Sequence, residues 1–170
     1  MKGELVSLCV MVVAIALVSC AHYDGSDEPS KNAEKSYTLR PIGVVRSELR
    51  RLEDAPRQGF EGAPDAWLEI YPPFRDGLEG IAPKSEVIIL TWLHLAARDV
   101  LKVHPRGDAN RPLTGVFTTR SPARPNPIGL HRVTVLEIDK ERGIRVYPLE
   151  AIDGTPVIDI KPALAQSRDD

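Results

Sequence analysis

Residues 115–130, GVFTTRSPARPNPIGL, are the stretch on which the interpretation of this chain rests. They place three prolines, two arginines and one asparagine between short apolar runs. Each proline fixes its own φ and pushes the preceding residue toward extended backbone, so Ser121, Arg124 and Asn126 have little conformational freedom. Such a stiff, turn-rich segment favours short β-strands on either side of it rather than long helices.

The polar side chains of this loop suit a small anionic or zwitterionic ligand. Arg120 and Arg124 carry planar guanidinium groups that match carboxylates and phosphates, and Asn126 offers both a donor and an acceptor. The alternative is a proline-rich turn whose arginines simply face water, and the loop alone leaves both interpretations open. Further along the chain, residues 149–162, LEAIDGTPVIDIKP, form a second dense block of turn residues followed by a strand.

The composition bounds the fold class. A chain of 170 residues, with 42% hydrophobic and 27% charged residues, has room for one globular domain with a real core. Its 15 prolines and 12 glycines predict many turns. Neither a repeated alternation of strands and helices nor a Gly-x-Gly-x-x-Gly turn occurs. We therefore predict an all-β fold, a single antiparallel β-barrel with short helical insertions.

Apolar patterning locates the elements of this barrel. Strands are predicted at 41–47, 66–71, 86–94, 116–119, 128–138, 144–149 and 157–160. Residues 74–78 predict a short helical turn, residues 95–103 a helix, and residues 140–143 a turn between two strands. Asp159 and Lys161 flank Ile160 on one predicted strand, so they share a face and are expected to form an ion pair.

Charge and cysteine content exclude two kinds of site. A net charge of −2 argues against a large uniform basic surface, so any contact with RNA must be local. Both cysteines, Cys9 and Cys20, precede the domain, which therefore has no disulfide and no thiolate metal site. His94, His104 and His131 show no ligand spacing with one another, so we expect no metal.

The N-terminal residues 1–20 have the pattern of a signal peptide or a lipoprotein leader. Leu5 to Ser19 is almost wholly apolar, but this run is shorter than the roughly 20 residues of a spanning helix. Leu17–Cys20, LVSC, is similar to a bacterial lipobox, in which the cysteine carries the lipid. Residues 21–36 predict a flexible polar linker, residues 37–165 the barrel domain, and residues 166–170 a C-terminal tail.

The two blocks at 115–130 and 149–162 resemble the signatures of the TsaA-like β-barrel family, in its short single-domain form. Further resemblance lies in residues 41–47, PIGVVRS, in residues 55–59, APRQG, and in the segments around Trp92–His94 and His104–Asp108. The resemblance implies a homodimeric S-adenosylmethionine-dependent methyltransferase. It further implies that the enzyme methylates N6 of threonylcarbamoyladenosine, next to the anticodon of tRNA.

The resemblance also implies which residues bind S-adenosyl-L-methionine. They come from separate segments, as expected for a pocket built by loops at one rim: Arg57, Gln58, Gly59, His94, Leu95, Arg120, Leu130, Leu149 and Glu150. Arg57 and Arg120 are suited to the methionyl carboxylate of the cofactor or to a carboxylate of the substrate, and Arg120 or Arg124 to the carboxylate of the threonylcarbamoyl group. Surface exposure of the arginines, and a plain turn role for Gly59, are the alternatives.

Candidate catalytic residues are Asp153, His94, Arg124 and Asn126. Methyl transfer to an N–H nucleophile needs positioning, desolvation and the removal of a proton. His94 follows a predicted strand and is either a base, a contact to the cofactor or a hydrogen-bonded core histidine. Asp153 is either a general base or the residue that caps a turn in Asp153–Pro156.

Two locations and two functions stay open. An exported lipoprotein that is attached to a membrane through Cys20 is one outcome, and it fits a non-catalytic module that binds S-adenosylmethionine. A cytoplasmic methyltransferase whose start codon is misassigned is the other, and the intact motifs of the domain favour it.

Overall fold

Alternation of apolar and polar side chains builds the strands of this domain, because successive residues of a strand point to opposite faces of the sheet. The computed structural model describes residues 37–164. The predicted leader (1–20), linker (21–36) and C-terminal tail (166–170) lie outside the described residues. Residue 165, the last residue of the predicted barrel domain, also lies outside them. Within this range, no helix has the length and apolar character needed to cross a membrane.

Eight strands are found in the described range. They are β1 (Gly43–Arg46), β2 (Ala66–Ile70), β3 (Glu86–Trp92), β4 (Lys102–Val103), β5 (Thr114–Gly115), β6 (Ile128–Asp139), β7 (Gly143–Tyr147) and β8 (Pro156–Pro162). Six of them close into an antiparallel barrel in the order β1-β2-β7-β6-β3-β8. The predicted all-β barrel with short helical insertions is confirmed, and the insertions are 3-10 turns such as Pro72–Leu78.

The barrel interior is filled by aliphatic side chains from alternate positions of the strands. The fully buried members include Val45, Leu68, Ile89, Val135 and Ile144. Burial of each such side chain stabilises the fold by about 1.5–3 kcal/mol relative to leaving it in water. Closure of the sheet gives each of the six barrel strands a partner on both sides over at least part of its length.

β3 and β6 are joined by a long insertion, residues 93–127, which holds the proline-rich loop. Its only strands are β4 and β5, which pair Lys102 with Gly115 and Val103 with Thr114. The prediction of a helix at 95–103 is therefore wrong. The backbone of this segment bonds to distant partners instead, as where Ala97 O accepts a hydrogen bond from Arg124 N at 3.0 Å.

The prediction of a strand at 116–119 is also wrong, because these residues form a 3-10 turn at Val116–Thr118. The threonine hydroxyls explain this outcome. Thr118 Oγ1 donates to Gly115 O at 2.8 Å, and Thr119 Oγ1 donates to Val116 O at 2.9 Å. Local bonds of this kind compete with the pairing of a strand. The other predicted strands are confirmed with small shifts at their ends.

One edge of β6 lacks a strand partner over half its length. β6 pairs with β3 from Ile128 to Thr134, whereas its pairing with β7 begins only at Thr134. Val135 N donates to Ser85 O at 2.9 Å, so the odd-numbered residues of β6 direct their backbone groups toward β3. The N–H and C=O groups of Leu130 and Arg132 therefore point away from β3, toward a side where no described strand is paired with them.

Candidate functional site

A cleft of about 490 Å³ lies beside this unpaired edge of β6. The segment around Gly59, the residues after β7 and the insertion between β3 and β6 each supply part of its wall. It is lined by Gln58, Gly59, Phe60, Glu86, Arg120, Leu130, His131, Arg132, Val133, Thr134, Pro148 and Glu150. The volume is within the range of about 300–1,000 Å³ that is typical of small-molecule sites.

Five residues predicted to bind the cofactor lie together in this cleft: Gln58, Gly59, Arg120, Leu130 and Glu150. They come from four separate parts of the chain, and only the closed barrel brings them to one place. The fold therefore groups these sequence-predicted residues around a single cavity.

The four other predicted cofactor residues do not line the cleft. Leu149 is fully buried in the barrel core, and its N–H donates to Pro64 O at 3.0 Å. His94 and Leu95 lie in the turn that follows β3, and Leu95 is more than half exposed. Arg57 precedes the cleft residue Gln58 and is exposed. Their cofactor roles, and the catalytic role of His94, stay predictions.

Asp153 lies in a separate, more open depression of about 630 Å³, which it lines with Ser47, Arg50 and four other residues. Its Oδ1 accepts a hydrogen bond from Ser47 N at 3.1 Å, and its Oδ2 accepts one from the guanidinium of Arg50. Both contacts are to the segment that follows β1 and not to the backbone of the turn 153–156, so the turn-capping and general-base interpretations of Asp153 stay predictions. The structure does not bring its carboxylate to the walls of the cleft.

Arg124 and Asn126 are also outside the cleft walls. Arg124 is partly buried, and its Nη2 donates to the carbonyl oxygens of Val116 and Thr119, each at 2.7 Å. Asn126 is exposed, and its backbone oxygen accepts a hydrogen bond from Ile128 N at 2.8 Å. Of the two arginines in the proline-rich loop, Arg120 is the one that lines the cleft.

A buried histidine that sequence reasoning did not single out connects the barrel interior to the cleft. His131 is 5% exposed; its Nδ1 lies 2.9 Å from Glu150 Oε1, and its Nε2 lies 2.9 Å from Thr91 Oγ1. The available signal was the alternation of β6, which places His131 between the inward-facing residues Gly129 and Val133. A polar side chain at an inward position needs a hydrogen-bond partner, and for His131 these partners are Thr91 and Glu150.

The electrostatics of Glu150 favour its ionised form. Burial raises the pKa of this carboxyl, but the hydrogen bond that it accepts from His131 and the charge of Arg120 lower it by more. The resulting pKa lies below the ordinary value for a glutamate. The cleft therefore presents one carboxylate and one guanidinium near each other.

Gly59 allows the cleft wall to close tightly around Glu150. A Cβ at this position would lie 3.1 Å from Glu150 Oε2 and 3.2 Å from Pro148 Cγ. These distances are shorter than ordinary van der Waals contacts, so any side chain here would displace the carboxylate or the proline. Gly59 therefore has a role in shaping the cleft as well as in the turn.

Two further cleft residues neutralise each other. Arg132 Nη2 lies 2.6 Å from Glu86 Oε2, and both side chains are at least half exposed. Arg120 has no carboxylate within 4 Å among the residues that the structure describes. Across 37–164, no group of three or more histidine, cysteine or acidic side chains is arranged to hold a metal ion.

Comparison with known proteins assigns the family. Residues 44–169 match the tRNA-methyltransferase O N-terminal domain. The chain belongs to this family. Two archaeal relatives, each aligned over 72–73% of this chain, are the "Probable S-adenosyl-L-methionine-binding protein" of Methanothermobacter thermautotrophicus (48% identity, 88% of its length) and the "S-adenosyl-L-methionine-binding protein" of Archaeoglobus fulgidus (47% identity, 86%).

A solved member of the tRNA-methyltransferase O family has the same fold as this domain. TrmO from Pseudomonas aeruginosa superposes with a TM-score of 0.61 and 31% identity over 80% of this chain. The alignment spans 60% of the length of that protein.

Proposed function

We propose that this domain is an S-adenosylmethionine-dependent methyltransferase that binds its cofactor in the cleft beside β6. The observation that carries the proposal is the convergence of Gln58, Gly59, Arg120, Leu130 and Glu150 on one cavity. Two relatives with nearly half of their aligned residues identical are named for binding this cofactor. The bound cofactor would supply an activated methyl group on a sulfonium.

The residues of the cleft fit the chemical groups of this cofactor. Arg120 has no competing carboxylate among the described residues, so its guanidinium is available for the methionyl carboxylate. The unpaired N–H and C=O groups of Leu130 and Arg132 offer donors and acceptors of the kind that the edge of a nucleobase needs. Phe60, with 82% of its surface exposed at the cleft, provides an apolar wall.

The chain's own contribution to the reaction is mainly the placement of the reacting groups. An in-line displacement from a sulfonium requires alignment and the exclusion of water more than it requires acid or base side chains. The stiff loop that ends at Leu130 and the close packing of Gly59 on Glu150 and Pro148 both restrict the shape of the cleft. Asp153 and His94 remain the predicted proton acceptors.

We further propose that the methyl acceptor is N6 of threonylcarbamoyladenosine beside the anticodon of tRNA, and that the protein acts as a homodimer. Support for the tRNA substrate is membership of the tRNA-methyltransferase O family. The carboxylate of the threonylcarbamoyl group would need a cationic partner. Because the guanidinium of Arg124 donates to two backbone carbonyls, Arg120 is the better placed of the two arginines for an anion at the cleft.

The rival function is a non-catalytic module that binds S-adenosylmethionine, exported as a lipoprotein. The observation that favours this alternative is that the names of the two relatives mention binding and no reaction. Calorimetric titration with S-adenosylmethionine tests what both functions share. Incubation with tRNA that contains threonylcarbamoyladenosine, followed by mass spectrometry of the nucleosides, then separates them. Binding without any methylated nucleoside would favour the module.

We propose that the enzyme acts in the cytosol, where tRNA and S-adenosylmethionine are found. A fusion of residues 1–36 to an export reporter tests this location. No translocation and no lipid on Cys20 are the expected results. Translocation together with lipid labelling of Cys20 would instead support attachment to a membrane.

A further inference from the structure

Thr91, His131 and Glu150 form a chain of hydrogen bonds that runs from inside the barrel to the cleft. Thr91 is fully buried and the side chain of His131 is 4% exposed, whereas the side chain of Glu150 is 20% exposed. Both links measure 2.9 Å between the heavy atoms. Exposure therefore increases in one direction, toward the cavity that we assign to the cofactor.

The chemistry of the three groups sets the direction of the hydrogen bonds. An ionised carboxylate only accepts, so Nδ1 of His131 carries the proton and donates to Glu150 Oε1. In the neutral ring Nε2 must then accept, and the hydroxyl of Thr91 is its donor. Thr91 thereby selects the tautomer of His131 that can hold Glu150.

Gly129 provides the space for this arrangement. It lies opposite Thr91 in the pairing of β3 with β6, and it is two residues from His131 on the same face of β6. A Cβ on Gly129 would lie 2.6 Å from His131 Nε2 and still closer to Thr91 Oγ1. Any larger residue would therefore push these two side chains apart.

The second oxygen of Glu150 lies close to Gly59, which also lines the cleft. Oε1 accepts from His131, and no other side chain in 37–164 donates a hydrogen bond to this carboxylate. The charge of Arg120 is close enough to lower the pKa of this carboxyl. The other two charged residues of the cleft, Arg132 and Glu86, form an ion pair with each other. Arg120 and Glu150 are thus the two opposite charges that the cleft offers to a ligand.

We propose that Thr91 and His131 are positioning residues, which hold Glu150 so that its Oε2 accepts a hydrogen bond from the ammonium group of a zwitterionic ligand. Arg120 takes the carboxylate of the same amino-acid group. This inference rests on the proposed function, because the methionyl part of S-adenosylmethionine is such a zwitterion. The side chain of His131 is only 4% exposed, and its proposed effect on the ligand is through Glu150.

Two substitutions of Thr91 separate positioning from packing. Thr91→Val keeps the shape of the side chain but removes the donor to His131, whereas Thr91→Ser keeps the hydroxyl and removes a methyl group. With S-adenosylmethionine as the calorimetric probe, we expect Thr91→Val to weaken binding about 5- to 20-fold, in line with the cost of an unsatisfied buried polar group. Thr91→Ser should stay within about 2-fold of the wild type. The reverse order of the two variants would overturn the inference.

The route through Glu150 is tested by a double-mutant cycle. Glu150→Gln alone should weaken binding, and Thr91→Val should have little further effect in that background, because both changes act on the same carboxylate. Losses that simply add would show that Thr91 acts elsewhere. If the wild type binds the cofactor and the Thr91 variants bind equally well, the inference fails while the proposed function stands. If the wild type does not bind it, both fail.

The tautomer of His131 can also be measured without ligand, so the inference can be tested even if a variant binds poorly because it is partly unfolded. Nitrogen-15 NMR of the imidazole should show His131 protonated on Nδ1 in the wild type and in Thr91→Ser, and a shifted Nε2 signal in Thr91→Val. A wild-type ring with its proton only on Nε2 would overturn the proposed direction of the hydrogen bonds from Thr91 through His131 to Glu150.

Discussion

Nη2 of Arg124 lies 2.7 Å from the carbonyl oxygen of Thr119, the residue that immediately precedes Arg120. The same nitrogen donates to Val116 O. Arg124 thus stabilises the backbone that precedes Arg120, and Arg120 is the arginine that lines the cleft. The stiffness predicted from the prolines is reinforced by a side chain that was predicted to bind or act on a ligand.

Arg124→Ala should therefore loosen the loop. It removes two charge-assisted hydrogen bonds to carbonyls, each worth about 1.5–3 kcal/mol when the partner is buried. We expect a lower melting temperature and faster proteolysis within residues 116–124. Cofactor affinity should fall as a consequence of the misplaced Arg120. An unchanged melting temperature together with lost turnover would instead support a direct catalytic role for Arg124.

Arg120→Ala should weaken the binding of S-adenosylmethionine about 10-fold or more, because a charged hydrogen bond to a carboxylate is lost. The free energy of unfolding should stay within about 0.5 kcal/mol of the wild type, since the side chain is at the surface. Arg98→Ala is a suitable control, because Arg98 is exposed over the Trp92 ring and does not line the cleft. Equal affinities of the two variants would remove Arg120 from the site.

Phe60→Ala should reduce cofactor affinity several-fold through the loss of apolar contact, with little effect on stability. The matched control is Phe117→Ala. Phe60 and Phe117 are 82% and 80% exposed, but only Phe60 lines the cleft. Calorimetry on both variants shows whether the loss of cofactor affinity depends on the position of the phenylalanine at the cleft. An equal loss of affinity in both variants would argue against this cleft as the cofactor site.

Asp153→Asn should lower the free energy of unfolding by about 1 kcal/mol or more, because the ion pair with Arg50 is lost and the bond from Ser47 N is weakened. Cofactor affinity should not change. Denaturant unfolding and calorimetry measure the two quantities. A fall in turnover at unchanged stability would support the predicted role of Asp153 as a general base.

Glu150 should make stability depend on pH in the acidic range. Its pKa is lower in the folded protein, so its contribution is present above the ordinary pKa of about 4.3 and is lost as the pH falls through the folded value. The difference in unfolding free energy between wild type and Glu150→Gln should therefore shrink on acidification. Glu79→Gln, at an exposed loop position, should show no such trend. A difference that grows as the pH falls would contradict the assignment.

Local patterns predicted the strands well, and they were wrong where side chains or distant partners competed for the backbone. The ion pair predicted between Asp159 and Lys161 is confirmed at 2.7 Å, because two positions along one strand determine it. The segment after β3 was misassigned as a helix, since its carbonyls bond to the loop around Arg124. No periodicity in the sequence contains that information.

The site was predictable only in part for a similar reason. Resemblance in the motifs pointed to Gln58, Gly59, Arg120 and Glu150, which the fold brings together. His131 was not singled out, because its partners lie 40 and 19 residues away in the sequence. Its inward position on β6 becomes meaningful only once Thr91 is known to lie on the neighbouring strand.

By itself, the sequence determined the all-β class, the positions of most strands and the rigidity of the proline-rich loop, since alternation and proline geometry act over a few residues. Only the tertiary structure decided that Arg120 lines the cleft while Arg124 binds backbone carbonyls, and that His131 joins Thr91 to Glu150. These contacts depend on the register in which the barrel closes, and that register is set by packing between residues far apart in the chain.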